Sequence, residues 1–124
     1  MSLKVTSRKI DGVVVIDMIG RLTGGEGQLL LRSTIRRFLD DGANRFVLNL
    51  SDVSFIDSSG LGELVSTKSL LTSQGGRVNL LGLTKRGQDL LVLTRLVVLF
   101  DFFDEESKAV KALHGDPESQ NLSA

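Results

Sequence analysis

The length, composition and charge of the chain limit the kinds of protein that it can be. A chain of 124 residues holds one folded domain, since a protein of this size buries roughly two-thirds of the surface that its unfolded form exposes. Hydrophobic residues make up 41% and charged residues 24% of the chain, which excludes a wholly disordered or fibrous protein. Fifteen basic and fifteen acidic residues cancel, so neither a nucleic acid nor an anionic membrane surface is expected as a partner.

The residue types that are missing bear on location. The sequence has no cysteine, which excludes disulfides and thiolate metal sites and is compatible with a reducing compartment. Residues 1–10 alternate charged and apolar side chains and lack the hydrophobic stretch of a secretory signal. The apolar runs are also shorter than the stretch of about 20 residues that crosses a bilayer. We therefore predict a cytoplasmic protein without membrane insertion.

The chain should begin with two paired strands. Leu3 to Lys9 and Val13 to Ile19 read as strands, and Asp11-Gly12 between them suits a tight turn with positive φ angles. These strands should form a hairpin. A glycine-rich connection is expected from Gly20 to Gly27.

Helices and strands alternate in the rest of the chain. Apolar residues recur at helical spacing from Leu31 to Leu39, and Gly42 should end that helix. The apolar run from Arg45 to Leu50 predicts a strand that is covered on both faces. A helix from Leu61 to Gln74 should follow, and Val78 to Leu81 predicts the next strand.

The last elements are predicted from caps and apolar runs. Thr84 should cap a helix that reaches about Leu93, and Asp104 should cap a final helix. A last strand is expected from Val97 to Phe100. Residues 115–124 are polar and have almost nothing to bury, so we expect a folded domain over 1–114 and a flexible tail over 115–124. The pattern predicts an α/β fold with a mixed central sheet, an N-terminal hairpin and four α-helices.

The most informative segment runs from Asn49 to Gly62, where a buried strand gives way to polar residues and glycine before a helix. Its hydroxyl groups should lie at a helix N-terminus. There the first N–H groups have no intrahelical partner and the helix dipole is positive, so a phosphate on a serine would be accommodated. Asp57, Ser58 and Ser59 are all preferred capping types, so the residues leave open which of them caps this helix and whether capping is their only role.

The consecutive residues Asp57-Ser58-Ser59-Gly60-Leu61-Gly62 resemble the signature of the STAS domain family (sulfate transporter and anti-sigma factor antagonist). In that family a strand runs into Asp-Ser-Ser-Gly-Leu-Gly or Asp-Ser-Thr-Gly-Leu-Gly. The resemblance extends from about Val5 to Leu113. It implies a STAS fold and a non-enzymatic bacterial regulator of the anti-sigma factor antagonist type.

The resemblance also implies a switch. In the family, an anti-sigma factor that is also a serine kinase phosphorylates the serine after the aspartate, and a phosphatase removes the phosphate. That serine is Ser58 in this sequence. The unmodified protein would bind the anti-sigma factor and release the sigma factor, and phosphorylation would switch this binding off. The expected partner-binding residues are Arg21, Thr23, Asp57, Ser58, Ser59, Gly60, Leu61 and Gly62.

Three positions depart from the family pattern. The first loop of the binding face often reads Gly-Glu-Leu-Asp in the family, but Arg21 and Thr23 stand at its two acidic positions here. Arg21 could attract a phosphate, accept an acidic partner or be a solvated loop charge. Lys68 falls within the apolar stripe of the helix after the motif. Either its methylene groups pack there while its ammonium group reaches the surface, or it lines a polar patch.

Other functions are less well supported by the residues. A hydrolase is not expected, because Ser58 lacks the flanking glycines of a nucleophile elbow and the single histidine, His114, lies beside the tail. The sequence contains no phosphate-binding glycine-lysine loop, dinucleotide fingerprint or metal-ligand cluster, so no cofactor or metal is expected. The alternative is a STAS scaffold subunit of a lipid-transport or stressosome-like complex. Whether the protein forms a homodimer is left open.

Overall fold

Strands and helices alternate along residues 3–114, the part of the chain that the computed structural model describes. The strands are β1 (Lys4–Ile10), β2 (Val13–Leu22), β3 (Arg45–Ile56), β4 (Arg77–Leu81) and β5 (Phe102–Phe103). The α-helices are α1 (Glu26–Asp40), α2 (Ser58–Ser73), α3 (Lys85–Leu93) and α4 (Glu106–Lys111), and Val97–Leu99 form a 3₁₀ turn. The predicted α/β class is confirmed.

The strands form one mixed sheet in the order β1-β2-β3-β4-β5. β1 and β2 are antiparallel and form the predicted hairpin, in which Asp11 and Gly12 take φ angles of 51° and 81°. The other neighbouring strands are parallel. Each parallel pair is joined by a crossover connection that contains one helix, namely α1, α2 or α3. The carboxyl ends of β2, β3 and β4 therefore meet at one edge of the sheet, and α2 begins at that edge.

The sheet lies between two apolar clusters, and helices cover both of its faces. One face of the sheet packs on α1, α2 and α3, which contribute Leu31, Ile35, Leu64, Leu71 and Leu91 to the larger cluster. The other face packs on α4 through a smaller cluster of Val13, Val15, Val47, Leu81, Ala109, Val110 and Leu113. β3 supplies buried residues to both clusters, as its apolar run predicted.

β3 extends past its predicted end at Leu50 to Ile56. Its register against β2 shifts between Asp17 and Ile19 and again between Gly20 and Arg21, so β3 bulges twice. A bulge breaks the alternation of buried and exposed side chains. The polar run beyond Leu50 therefore continues the strand, although its pattern predicts a loop.

The starts of α1 and α2 were predicted too late, and the predicted last strand is wrong. α1 begins at Glu26, inside the expected glycine-rich connection, and α2 begins at Ser58 rather than at Leu61. The predicted strand at Val97 to Phe100 is wrong, because Val97–Leu99 form a 3₁₀ turn and the sheet position beside β4 is taken by Phe102–Phe103.

Of the caps predicted for the last two helices, one is confirmed and one is wrong. Thr84 caps α3, since its hydroxyl accepts the N–H of Gly87 at 3.2 Å, as predicted. The predicted cap at Asp104 is wrong, because α4 begins at Glu106 after Glu105, which makes no side-chain capping hydrogen bond. The expected tail over 115–124 lies outside the described residues. No helix within residues 3–114 has the length and hydrophobicity needed to span a membrane.

An ion-pair network links the hairpin to α4 and to β3. The Arg8 guanidinium donates to both carboxylate oxygens of Asp17, at 2.6 and 3.0 Å, and also to Glu106 on α4. The side-chain amide of Asn49 donates to Asp17 at 2.7 Å. The hydrogen bond from Arg8 lowers the pKa of Asp17, assisted by Asn49 and opposed by partial burial.

This network predicts a loss of stability in acid. A carboxyl group whose pKa is lower in the folded state stabilises the fold above its unfolded pKa of about 3.9, and that contribution is lost as the pH falls through the folded value. Asp17→Asn should therefore cost about 1 kcal/mol at pH 7, and the difference from the parent protein should shrink below about pH 4. Urea unfolding between pH 3 and pH 7 measures this. Asp52→Asn, at an exposed position of β3, is the control. Parallel pH profiles for the parent and Asp17→Asn would contradict the assignment.

Candidate functional site

The motif lies where β3 ends and α2 begins. Asp57 has an extended backbone, with φ −99° and ψ −176°, and its Oδ1 accepts the N–H of Gly60 at 2.8 Å. Its carbonyl oxygen accepts the first intrahelical hydrogen bond, from Leu61 N at 2.9 Å. Asp57 is therefore the N-cap of α2, which settles the alternative that the sequence left open. Neither serine hydroxyl is used for capping.

Ser58 and Ser59 are the first two residues of α2, and both are exposed. Their N–H groups come before the first intrahelical hydrogen bond, so the positive end of the helix dipole lies at these residues. Ser59 lies against the β2–α1 connection, since a Cβ added to Gly24 would be 3.1 Å from the Cβ of Ser59. Ser58 is the residue directly after the capping Asp57, and its side chain is exposed.

The two glycines of the motif have different surroundings. Gly60 is buried against β2, and a Cβ at this position would overlap the carbonyl oxygen of Leu22 and lie 2.8 Å from its carbonyl carbon. Gly62 is exposed, and a Cβ there would meet no atom within 4 Å among the described residues. The fold thus requires a glycine at 60, whereas nothing in the described chain requires one at 62.

The remaining motif residue, Leu61, is 4% exposed and belongs to the core. Leu61 and Gly60 are therefore buried beneath the exposed surface of the motif. Ser58, Ser59 and Gly62 form its exposed part.

Arg21 and Thr23 lie beside this turn, at the end of β2. Arg21 is exposed, and its guanidinium carbon lies 4.5 Å from the centroid of the Phe55 ring on β3. Thr23 is half-buried and directly follows the strand. The N–H of Asp57 donates to the carbonyl oxygen of Leu22 at 3.3 Å, which ties the end of β2 to the start of α2. The structure thus brings all the predicted binding residues to one edge of the sheet.

Two features of the site were missed by the sequence analysis. Phe55 was not singled out, because the predicted strand ended at Leu50 and placed no partner opposite Arg21. Glu63 is the other feature, with a side chain only 2% exposed that accepts a hydrogen bond from Arg32 of α1 at 2.8 Å. A glutamate next to an exposed helix start resembles a surface residue, and only the contact between α1 and α2 shows that it is buried. Lys68 is half-buried, and the packing of its stem stays a prediction.

The groups exposed at the site determine what it can bind. Within residues 3–114, no group of three or more His, Cys, Asp or Glu side chains is placed to hold a metal ion. The exposed groups at the turn are two hydroxyls at a helix N-terminus, and a stacked guanidinium lies beside them. This arrangement can receive a phosphate or contact another protein.

Comparison with known proteins gives consistent results. Residues 4–109 match the sequence model of the STAS domain family. A Thermotoga maritima protein assigned as an anti-sigma factor antagonist is 30% identical over 102 residues, which cover 82% of this chain and 90% of the relative. A crystal structure of a T. maritima protein with the same assignment has a TM-score of 0.82 at 28% identity, and the match covers 90% of this chain and 95% of that one.

A structure from Bacillus matches the fold at a lower sequence identity. The structure of the cell fate determinant SpoIIAA in its phosphorylated form has a TM-score of 0.71 at 22% identity. The match covers 90% of this chain and all of that chain, 100%. At this level of identity the likeness concerns the fold.

Proposed function

The chain belongs to the STAS domain family, with anti-sigma factor antagonists among its relatives, and from this premise we propose that it is a phosphoserine-switched antagonist that acts by binding and catalyses no reaction. In this proposal the unmodified protein binds an anti-sigma factor that is also a serine kinase, and the bound sigma factor is released. The partner supplies ATP and phosphorylates Ser58. A phosphatase restores the binding form. These steps would take place in the cytoplasm.

The observation that carries the proposal is the position of Ser58. Its side chain is exposed on the first residue of α2, beside a capping aspartate that leaves the serine hydroxyl free of any structural hydrogen bond among residues 3–114. A kinase can reach such a hydroxyl without unfolding the helix. The added phosphate would lie at the positive end of the helix dipole, where a negative charge is tolerated.

The neighbouring residues have distinct roles in this proposal. Asp57 fixes the turn, so that the serine is presented in one geometry. Ser59 contacts the Gly24 segment and keeps that connection against the turn. Gly62 leaves space on the exposed side of α2 for the backbone of a partner. Arg21 and Thr23 extend the contact along the end of β2.

Labelling with purified kinases tests the proposal. Serine-kinase anti-sigma factors from the source organism should be incubated singly with the protein and radioactive ATP, and the modified residue mapped by mass spectrometry. One of them should label Ser58, and Ser58→Ala should lower labelling to background. Ser59→Ala is the matched control and should retain most of the labelling, because Ser59 has a packing role.

The outcomes separate the two functions that the sequence suggested. Full labelling of Ser58→Ala would place the modification elsewhere. Absence of labelling by every kinase would favour the scaffold subunit instead, in which the same surface is a permanent contact. An equal loss in Ser58→Ala and Ser59→Ala would mean that the turn geometry, rather than one hydroxyl, controls the reaction.

A further inference from the structure

The face of the sheet that carries α4 is only partly covered. α4 packs on Val13, Val15 and Val47 near the starts of β2 and β3, and on Leu81 at the end of β4. The Arg77 guanidinium donates to the carbonyl oxygen of Ala112 at 2.9 Å. β4 pairs with β3 only as far as Leu81 and Asn49. β2 and β3 continue as a pair to Leu22 and Ile56. The part of this face towards the ends of β2 and β3 therefore lies beyond α4.

Three side chains on this part form what we call the open-face patch: Ile19, Arg21 and Phe55. Ile19 is 47% exposed and Phe55 is 38% exposed. Ile19 and Arg21 are two residues apart on β2, so they share a face, and Arg21 is stacked over Phe55. The patch is apolar surface with a cation held on it, which is typical of an interaction surface.

Arg21 has no charged partner in the described chain. No carboxylate lies within 4 Å of its guanidinium among residues 3–114, whereas Arg8 pairs with two carboxylates and Arg32 with one. Stacking on Phe55 uses the face of the guanidinium group and leaves its N–H donors free at the rim. A planar fork of donors fits a carboxylate better than it fits any other protein group.

Two further charges lie near the patch. Lys4 on β1 and Asp52 on β3 are both paired in register with Ile19, and both are exposed. Asp17 lies two residues before Ile19 on the same face of β2, and both Asp17 and Glu106 pair with Arg8. Together with Arg21, these six charges sum to zero, so the feature that favours an acidic partner is the guanidinium of Arg21, unpaired among residues 3–114, rather than the net charge of the area.

The patch adjoins the phosphoacceptor edge. Phe55 precedes Ser58 with only Ile56 and Asp57 between them, and Arg21 precedes Leu22, which accepts the N–H of Asp57. A stable protein interface takes about 800 Å² from each partner, which is far more than one helical turn exposes. A partner that covers Ser58 must therefore extend over neighbouring surface.

We propose that the partner that binds at Ser58 also covers the open-face patch, where one of its carboxylates pairs with Arg21 and an adjacent apolar side chain packs on Ile19 and Phe55. This inference rests on the proposed function, because it takes the anti-sigma factor kinase as the occupant. It adds the chemistry of the partner surface, namely an acidic residue beside an apolar one. It also gives Arg21 a role at a position where the family often has an acidic residue.

Titration calorimetry with the kinase that labels Ser58 tests the inference. Arg21→Glu should weaken binding of the unphosphorylated protein at least tenfold, and Phe55→Ala should have a similar effect. Arg21→Lys should lie between these variants and the parent, since it keeps the charge but loses the planar fork. Arg86→Glu and Leu93→Ser are matched controls at exposed positions of α3 and should bind as the parent does.

A crosslink identifies the group that contacts the patch. Photo-reactive benzoylphenylalanine at position 55 should crosslink to a peptide of the purified kinase that contains an aspartate or glutamate, and reversing that charge should restore binding to Arg21→Glu. The same crosslinker at position 93 is the control. If Arg21→Glu and Phe55→Ala bind normally while Ser58→Ala still abolishes labelling, the inference is wrong and the proposed function stands. If no kinase binds or labels the parent protein, the proposed function fails and the stated occupant fails with it.

Discussion

Gly60→Ala should destabilise the protein by roughly 3 kcal/mol or more, because the new methyl group has no space. It would overlap the carbonyl oxygen of Leu22, which is the buried last residue of β2. The clash can be relieved only if α2 moves away from the sheet, which breaks the hydrogen bond from Asp57 N to Leu22 O. For a domain of this size, the loss corresponds to a fall in melting temperature of about 10 °C or more.

Gly62→Ala is the matched control, at a position two residues along the same helix. Alanine is favoured over glycine within a helix by about 1 kcal/mol, and the added Cβ would meet no atom within 4 Å among the described residues. This variant should therefore melt at a higher temperature than the parent. If it also binds the partner less well, Gly62 is kept for the contact rather than for the fold. Equal melting temperatures for the two variants would show that the packing of Gly60 has been misjudged.

The sequence predicted the elements that have a regular apolar pattern. The hairpin, the two-sided burial at the start of β3 and the cap of α3 all depend on residues that are close in the chain. Their φ preferences, side-chain alternation and capping bonds are local properties. The fold class followed from the alternation of these elements.

The parts that were missed depend on contacts between distant residues. β3 continues past Leu50 because its pairing with β2 persists through two bulges, and neither bulge has a local signal. The strand expected at Val97 to Phe100 fails because the sheet position beside β4 is occupied by Phe102–Phe103, although Val97 and Val98 favour strands. Val98 is 84% exposed, which shows that its strand preference is not used.

The candidate site likewise has features that the local sequence predicts and features that depend on distant contacts. The run from Asp57 to Gly62 could be recognised because it is consecutive, but its capping residue could not be chosen from three good candidates. The stack of Arg21 on Phe55 needs the register of two strands, and the burial of Glu63 needs the packing of α1 on α2. A single sequence contains no direct record of either contact.

Phosphorylation of Ser58 should weaken binding to the partner at least a hundredfold and leave the fold nearly unchanged. The phosphate adds about 1.5 to 2 negative charges next to Asp57. On the free protein, this charge lies at the N-terminus of α2, where such charges change stability by about 1 kcal/mol or less. Within a contact that has lost its water, the same charge is costly unless the partner pairs it. A hundredfold loss of affinity requires only about 2.8 kcal/mol.

The phosphorylated and unmodified proteins should therefore differ in affinity for the partner but not in stability. Calorimetric titration and thermal melting of the phosphorylated and unmodified proteins measure both, and Ser58→Ala, which keeps a neutral side chain, should bind like the unmodified form. Ser58→Asp should give a smaller loss of affinity, because a carboxylate carries less charge than a phosphate. If the phosphorylated protein melts far below the parent, the modification acts by unfolding α2. If both forms bind the partner equally well, Ser58 is no switch, and the permanent contact of a scaffold subunit explains the exposed turn better.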